Sequence, residues 1–359
     1  MEKSRRRWIA GLALAALILP CLVYWLIVIS DPYRLPSRDW SLFKKRFVSP
    51  QGRVIDTGNA DVSHSEGQGY GLLLAEAYGD KATFDRIWNW TRENLQTRPD
   101  DKLLSWLWKP AGDGGGSVAD PNNASDGEIL VAWALLRASQ RWGSYAYEQA
   151  AAGILVDLRR LAVKETATGP VLLPGLEGFV KENGILLNPS YYLFPAFTLF
   201  ARTFPGSGWD LLSQNGEKIT GEARFGEWAL SPDWVLAGEK FSLPSQFPPD
   251  FGYNAIRVPL HAAWQNPRSP LLEPFANFWK QFPELSRIPA SVNLETNAFG
   301  SDPALPGMQA IARFVLACQS GTRLSVRDIP PLMSEEPYFS ASLKMLTKLA
   351  VRETMGEKR

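Results

Sequence analysis

Apolar residues recur at helical spacing along most of this chain. Ile129, Trp133 and Leu136, for example, fall at positions i, i+4 and i+7 of one helical face. On this pattern we predict helices over residues 67–79, 82–96, 125–142, 145–163, 189–204, 207–222, 253–265, 270–282, 307–319 and 338–352, with a shorter helical patch over 40–47. Because the helices come in pairs separated by short breaks, and no sequence repeat recurs at a fixed period, the pattern favours stacked helical hairpins over a regular solenoid.

Turn-forming residues interrupt the helical pattern. Asp80 is placed to cap the second helix, and Gly143 to end the third. Residues 100–123 and 166–188 are rich in Gly, Pro and Asn and contain short apolar runs, so loops with β-hairpin pieces are expected there. The prediction is therefore an all-α fold with a few short hairpins, and nothing in the composition signals a second domain.

The first thirty residues differ in character from the rest of the chain. Three consecutive arginines precede an uncharged apolar run of 22 residues, Trp8 to Ile29. Basic residues followed by an apolar run predict insertion with the N-terminus in the cytoplasm, and this run is long enough to span a bilayer. An uncleaved anchor and a cleaved signal are both open. In either case we expect the body to be periplasmic or secreted, and if an anchor is retained, residues 8–29 are its membrane contact.

Composition limits the partners that the chain can have. Without residues 1–30 it carries 34 basic and 36 acidic side chains, a balance that gives no support for a nucleic-acid partner. Fourteen tryptophans suit either a large helical core or stacking on sugar rings. Cys21 and Cys318 are the two cysteines, and with two histidines, His64 and His261, the sequence shows no zinc-ligand spacing. No metal or other cofactor is expected.

The stretch Ser-Glu-Gly-Gln-Gly-Tyr-Gly at residues 65–71 sets one carboxylate, Glu66, among three glycines. Each glycine costs a helix about 0.5–1 kcal/mol relative to alanine, so the backbone here is expected to lie close to another group, such as a substrate. A simpler interpretation is a helix start capped after Ser63 or Ser65. His64, two residues before Glu66, is expected to be a hydrogen-bonded neighbour and not a catalyst.

A second acidic motif begins another predicted helix. Asp126 follows the turn-rich stretch Asp-Pro-Asn-Asn-Ala-Ser and precedes the apolar run that starts at Ile129. A carboxylate at a helix start can cap free N–H groups, and this is one interpretation of Asp126. The other is chemical: Glu66 and Asp126, two acids beside glycine at helix starts sixty residues apart, are what a paired-acid mechanism would use.

These motifs resemble glycoside hydrolase family eight, and within it the endoglucanases that accompany bacterial cellulose synthases. The resemblance runs from about Trp40 to near the C-terminus and is carried by residues 65–71, by Trp-Leu-Trp at 106–108 and by Ala-Ser-Asp-Gly at 124–127 through Trp142. Glu128 stands where the family usually has aspartate. The resemblance implies that residues 31–359 form a catalytic domain, an (α/α)6 barrel with its cleft at one end. It also implies an inverting endo-β-1,4-glucanase that acts on β-1,4-glucan beside a cellulose synthase complex.

The resemblance assigns roles to several residues but leaves the catalytic base open. It makes Glu66 the general acid and Asp126 the carboxylate that holds the sugar at the cleavage point. The family's aspartate base falls at Asn254, which cannot accept a proton at neutral pH. Asp250 could serve instead, Asp126 itself could act, the enzyme could run slowly with Asn254 orienting a water, or the domain could bind glucan without cutting it.

Six further residues are candidates for substrate binding. The resemblance places Tyr191 in the cleft, and Arg257 either pairs with a cleft carboxylate or forms a structural salt bridge. Trp106 and Trp108 alternate on a strand-like run and either stack on sugar or enter the core. Asn123 and Tyr253 lie beside the two motifs. Subsite shape is not fixed by the sequence, so xylan, chitosan and mixed-linkage glucan are alternative substrates.

Overall fold

The structure is a computed structural model that describes residues 31–112 and 115–356. Its described part contains α1 (Ser37–Phe47), α2 (Ser65–Ala77), α3 (Lys81–Asn94), α4 (Ser125–Trp142), α5 (Tyr145–Ala162), α6 (Phe194–Thr203), α7 (Trp209–Glu222), α8 (Arg257–Gln265), α9 (Glu273–Trp279), α10 (Pro306–Ser320) and α11 (Tyr338–Met355). Each predicted helix is present, so the all-α prediction is confirmed.

The helix ends follow the turn chemistry. Asp80 caps α3 by accepting the Thr83 N–H at 3.1 Å, and Gly143 ends α4 in the left-handed conformation (φ 65°), as predicted. The helix predicted from residue 189 begins at Phe194 instead. A 3-10 turn, Pro189–Tyr191, comes first, because the side chain of Asn188 accepts the Ser190 N–H and caps that turn.

Short antiparallel strands decorate the helices. The strands are β1 (Ser63–His64), β2 (Leu107–Pro110), β3 (Gly116–Asp120), β4 (Val163–Thr166), β5 (Gly169–Leu172), β6 (Val180–Lys181), β7 (Gly184–Leu187), β8 (Val235–Ala237), β9 (Phe241–Ser242), β10 (Asp250–Phe251) and β11 (Val292–Asn293). They pair in the orders β1-β2-β3, β4-β5, β6-β7-β8-β9 and β10-β11. The hairpins expected in residues 100–123 and 166–188 are confirmed. Strands β8 to β11 were not predicted, because runs of two or three residues carry no periodicity.

The helices pack so that the N-termini that carry the sequence motifs meet. Consecutive pairs α2–α3, α4–α5, α6–α7 and α10–α11 are in contact, and a second set of contacts runs in a cycle α2–α4–α6–α8–α11–α2. Glu66 lies in the first turn of α2, Asp126 in the first turn of α4, and Arg257 is the first residue of α8. Three members of the cycle therefore contribute a charged side chain from the same helix end.

A buried ion pair joins α1 to α11, and a second buried pair lies one turn away on α11. Lys348 of α11 lies 2.5 Å from Asp39 of α1, and Lys344, one turn earlier, lies 2.6 Å from Glu336. All four side chains are almost fully buried, which is tolerable only because each charge has a partner. Within residues 31–112 and 115–356, no helix has the length and apolar content needed to cross a bilayer. The apolar run 8–29 lies outside the described residues.

Candidate active site

Glu66 lies at the start of α2, where its neighbours leave one carboxylate oxygen free. The hydroxyl of Tyr70, one turn later, donates to Oε1 at 2.9 Å. Oε2 lies 3.8 Å from Nδ1 of His64, but that nitrogen already accepts the Gly67 N–H at 3.0 Å and thereby caps the helix. The side chain of Glu66 is 22% exposed, so it reaches solvent. The interpretation of a helix start capped after Ser63 or Ser65 is therefore wrong, because the imidazole of His64 caps the helix.

The glycines around Glu66 face protein and not an open cleft. A Cβ on Gly69 would overlap Leu130 of α4, and one on Gly127 would overlap the hydroxyl of Ser65 on α2. The expectation that these glycines let a substrate approach the backbone is therefore wrong. Their absent side chains allow α2 and α4 to cross closely, and this crossing brings Glu66 and Asp126 together.

Asp126 is buried at the start of α4, with 3% of its surface exposed. Its Oδ1 accepts the Gly127 N–H at 2.9 Å. Burial, and secondly the charge of Glu128, raise the pKa of Asp126 to about 8. Glu128 is itself fully buried, where it accepts the N–H of Leu104 and the amide of Asn123, and burial raises its pKa to about 8. Asp126 therefore holds its proton far more firmly than an exposed aspartate does.

Arg257 joins the two acids. Its Nη1 contacts Oε1 of Glu66 and lies 3.4 Å from Oδ2 of Asp126, and the same nitrogen donates to the Tyr70 hydroxyl at 3.2 Å. Burial lowers the pKa of Arg257 to about 10, so the guanidinium still carries its charge at neutral pH. Of the two interpretations of Arg257, the structure supports pairing with the cleft carboxylates.

Two further predicted residues, Asn254 and Tyr191, lie against Arg257, and a third, Tyr253, comes directly before Asn254. Nη2 of Arg257 donates to Oδ1 of Asn254 at 2.7 Å, so the side-chain oxygen of Asn254 is already engaged. The ring of Tyr191 lies 6.0 Å from the guanidinium carbon, and burial followed by the charge of Asp126 raises the pKa of its hydroxyl. Tyr253 is 46% exposed and packs on Phe339 with ring centroids 5.5 Å apart.

The remaining predicted residues make other contacts. In the described residues no hydrogen bond or ion pair joins Asp250 to the two acids or to Arg257; its backbone pairs with β11. Asn123 is buried, and its Oδ1 accepts the N–H of Leu176 at 2.8 Å. Trp108 is buried against Trp90 with ring centroids 5.5 Å apart, which favours a core role, whereas Trp106 precedes β2 and is partly exposed.

The hydrogen bonds of two further residues of the site were not predicted from the sequence. Tyr70 lies four residues after Glu66 on one helix, and this spacing was a usable signal for their contact. Asp233 precedes β8 and accepts three backbone N–H groups from the loop that carries Asn254. No sequence signal connected Asp233 to that loop. Across the described part of the chain, His, Cys, Asp and Glu do not gather in threes as a metal site would require.

Two carboxyl groups at one end of a cycle of helices, joined by an arginine and lined by tyrosines, define a class of protein. Such a pair can protonate a glycosidic oxygen and stabilise the positive charge that develops at the anomeric carbon. Glu66 supplies the solvent-accessible acid of the pair, and Asp126 the buried one. The class is that of helical glycoside hydrolases.

The chain belongs to glycosyl hydrolases family 8, whose family model matches residues 15–353. It is 37% identical over 321 residues to a "Probable endoglucanase" of Novacetimonas hansenii, covering 88% of this chain and 91% of that protein. It is also similar to the solved endoglucanase Cel10 of Klebsiella pneumoniae (36% identity, TM-score 0.82, covering 88% and 99%). A third similar protein is the endo-β-1,4-glucanase CMCax of Acetobacter xylinum (36% identity, TM-score 0.79, covering 90% and 99%). The predicted family, its (α/α)6 fold class and a hydrolase activity are confirmed.

Proposed function

We propose that this glycoside hydrolase is an endo-β-1,4-glucanase that cleaves internal bonds of β-1,4-glucan with inversion. The observation that carries the proposal is the contact of one guanidinium nitrogen of Arg257 with both Glu66 and Asp126. The similar proteins from Novacetimonas, Klebsiella and Acetobacter are all named endoglucanases, which supports the choice of glucan.

Glu66 is the general acid in this proposal. Its Oε1 receives hydrogen bonds from Tyr70 and contacts Arg257, so the transferable proton resides on Oε2. His64 cannot supply a hydrogen bond to Oε2 in its neutral form, because Nδ1 is an acceptor for the Gly67 N–H. The free oxygen of a partly exposed carboxyl group can therefore deliver its proton to the leaving glycosidic oxygen.

Asp126 holds the sugar and stabilises the transition state. Inverting enzymes leave about 6.5–9.5 Å between acid and base so that a water fits between them. One nitrogen of Arg257 reaches both Glu66 and Asp126, so the bridged oxygens lie closer together than that. This spacing argues against Asp126 as the base.

Asp250 is the base in this proposal. Asn254 engages its side-chain oxygen with Arg257, which leaves only an NH2 group, and that group accepts no proton. Asp250 is partly exposed, no hydrogen bond to its carboxylate is present among the described residues, and burial raises its pKa, as suits a general base. Its lack of direct contact with Glu66 is compatible with the separation that an attacking water needs.

The test is reducing-end release from carboxymethylcellulose by a series of purified variants. Glu66→Gln should lose activity by at least about 10³-fold while folding is preserved, since an amide cannot give a proton to the leaving oxygen. Glu93→Gln, an exposed glutamate of α3, is the matched control and should resemble wild type. Wild-type activity in Glu66→Gln would defeat the assignment.

Two further variants test the base. Full activity in Asp250→Asn would remove Asp250 as base, and a higher rate in Asn254→Asp would show that the residue at the family's base position limits the rate.

A second candidate function is non-hydrolytic glucan binding, which Asn254 favours because it replaces the family's base. Binding of cellohexaose measured by calorimetry, with no product after long incubation at high protein concentration, would support it. Turnover lost in Glu66→Gln would exclude it. A panel of xylan, chitosan and mixed-linkage glucan, with products separated by chromatography, tests whether another glycan is preferred.

We also propose that the body, residues 31–359, acts in the periplasm or outside the cell on glucan that emerges from a cellulose synthase complex. Support comes from the basic cluster and apolar run within residues 1–30. Protease treatment of spheroplasts should degrade the body of a cell-associated form, and N-terminal sequencing of the mature protein would distinguish an anchor from a cleaved signal. Protection of the body from protease until the membrane is lysed would contradict this placement.

A further inference from the structure

We propose that Asp233 is a positioning residue of the active site: it holds the turn of residues 252–255 and thereby sets Asn254 and Arg257 against the two acids. The proposal rests on the hydrolase function proposed above and adds to it a residue outside the acid pair. Asp233 comes directly before Trp234 and β8, some twenty residues away from the turn in sequence.

The contacts of Asp233 with the turn are numerous and short. Its Oδ1 accepts the N–H groups of Gly252 at 3.1 Å, Asn254 at 3.0 Å and Ala255 at 2.6 Å. Its own N–H donates to the carbonyl oxygen of Asp250 at 2.7 Å. A Cβ on Gly252 would lie 2.9 Å from Oδ2, so the turn closes directly over the carboxylate. One oxygen atom therefore fixes the backbone on both sides of Asn254.

The turn leads directly to Arg257, the arginine that joins the two acids. Arg257 is the first residue of α8, and its guanidinium donates to Oδ1 of Asn254 at 2.7 Å. The same guanidinium contacts Glu66 and Asp126. A shift of the turn would move Asn254 and the start of α8 together, and with them a cation that touches both acids.

Aromatic packing holds Asp233 itself in place. The ring of Trp234 is stacked on Phe247 at 4.7 Å and on Phe179 at 5.9 Å, so both neighbours come from other loops. Trp234 also packs against Tyr191, at 6.5 Å, whose ring borders Arg257. Because stacked aromatic rings restrict movement of the backbone that carries them, Asp233 is presented to the turn in a fixed position.

The geometry distinguishes a positioning role from that of a base. Three donors converge on Oδ1, as in a helix cap. Burial raises the pKa of Asp233 to about 6, and these hydrogen bonds act in the opposite direction, so the carboxylate is charged at neutral pH. An asparagine at this position keeps the accepting oxygen, whereas it cannot take up a proton. The variants Asp233→Asn and Asp233→Ala therefore separate the two roles.

The experiment measures kcat and KM on cellohexaose for Asp233→Asn, Asp233→Ala, Arg257→Ala and the double variant Asp233→Ala/Arg257→Ala, each with its melting temperature. Asp328→Ala is the matched control, because Asp328 also caps a turn, with Ser325, at an exposed site. We expect Asp233→Ala to lower kcat by about 10²-fold with KM changed less than about threefold, since misplacement by about 1 Å has such effects. Asp233→Asn should keep kcat within about tenfold of wild type, because its oxygen still accepts hydrogen bonds.

The double variant carries the decisive result. If Asp233 acts through Arg257, Asp233→Ala adds less than about threefold to the loss in Arg257→Ala. The proposal would be overturned if the losses in kcat of the two single variants multiplied in the double variant, or if Asp233→Ala left kcat unchanged. It would also be overturned if kcat fell by about 10³-fold in Asp233→Asn, because that result would identify Asp233 as a base. If Asp233→Ala does not fold, Asp233→Asn alone decides: a kcat within about tenfold of wild type supports the proposal, and a larger loss overturns it. Failure of the hydrolase assignment would show separately, as wild-type activity in Glu66→Gln.

Discussion

Replacing the buried carboxyl group of Asp126 should have opposite effects on activity and on stability. Asp126→Asn keeps the size of the side chain and the oxygen that accepts the Gly127 N–H. It removes a group whose pKa is raised from 3.8 to about 8, first by burial and then by Glu128. We therefore expect a variant that loses kcat by about 10²–10³-fold, since an amide cannot ionise to oppose the positive charge that develops at the anomeric carbon, yet unfolds less readily above neutral pH.

The sign and size of the stability change follow from proton linkage. Between about pH 4 and pH 8 the folded chain keeps a proton on Asp126 that the unfolded chain has released, so the free energy of unfolding falls as pH rises. At 1.36 kcal/mol per pKa unit, the cost at pH 7 is at most about 4 kcal/mol. Arg257, 3.4 Å away, favours the charged form and offsets part of it. We expect the variant to gain about 2 kcal/mol relative to wild type between pH 5 and pH 8.

Urea unfolding at pH 5, 6, 7 and 8 measures this difference, with m-values checked for constancy. Asp328→Asn is the matched control. Hydrogen bonds from Ser325 lower the pKa of Asp328, so the charged carboxylate stabilises the fold fully above the ordinary pKa of aspartate. That stabilisation is lost only at lower pH. Its stability relative to wild type should therefore be constant over this range. If Asp126→Asn becomes less stable relative to wild type as pH rises, the charged carboxylate stabilises the fold through Arg257, and the reasoning from burial is wrong.

Three further predictions concern the elements that hold the site. Arg257→Lys should lower kcat by about 10²-fold, because an ammonium cannot reproduce the fork that reaches four side chains; wild-type kcat would exclude the bridging role. Gly127→Ala should reduce the free energy of unfolding by about 1–3 kcal/mol, because its Cβ overlaps Ser65, and an unchanged urea midpoint would contradict this. Asp39→Ala should cost about 3–5 kcal/mol by leaving Lys348 buried and unpaired, and Lys348→Met added to it should restore most of the loss; additive losses would refute the pairing.

Local signals were enough to predict the helices and some of their ends. Helical periodicity extends over a dozen residues or more in most of them, and Asp80 and Gly143 mark boundaries through their own backbone preferences. The cap of α2 was assigned wrongly because serine is the common capping residue, whereas Ser63 donates its hydroxyl to Val54 and the ring of His64 takes its place. Which of two adjacent polar residues turns toward a helix end depends on the strands that β1 joins, and these are distant in sequence.

The two acids could be predicted because each is marked by its own motif, but their connection could not. Arg257 lies 131 residues from Asp126 along the chain, and its contact with Asp126 exists only because α8 packs in the cycle of helices. The role of Asp233 was still harder to predict, because its partners are three backbone N–H groups, which almost any residue type can supply. Resemblance to a family supplied the roles of Glu66 and Asp126, and only the packing supplied the cation between them.

The glycines of the two acidic motifs affect the site through the packing of α2 against α4, which the composition of the motifs did not suggest. Gly69 and Gly127 touch no open space; they remove the side chains that would keep α2 and α4 apart at their N-terminal turns. Because Glu66 and Asp126 lie in those same turns, the closeness of the helices determines the distance between the two carboxyl groups. One guanidinium can then serve both acids. In the proposed mechanism, the glycines at this crossing therefore determine whether the acid and the stabilising carboxylate can act on the same glycosidic bond.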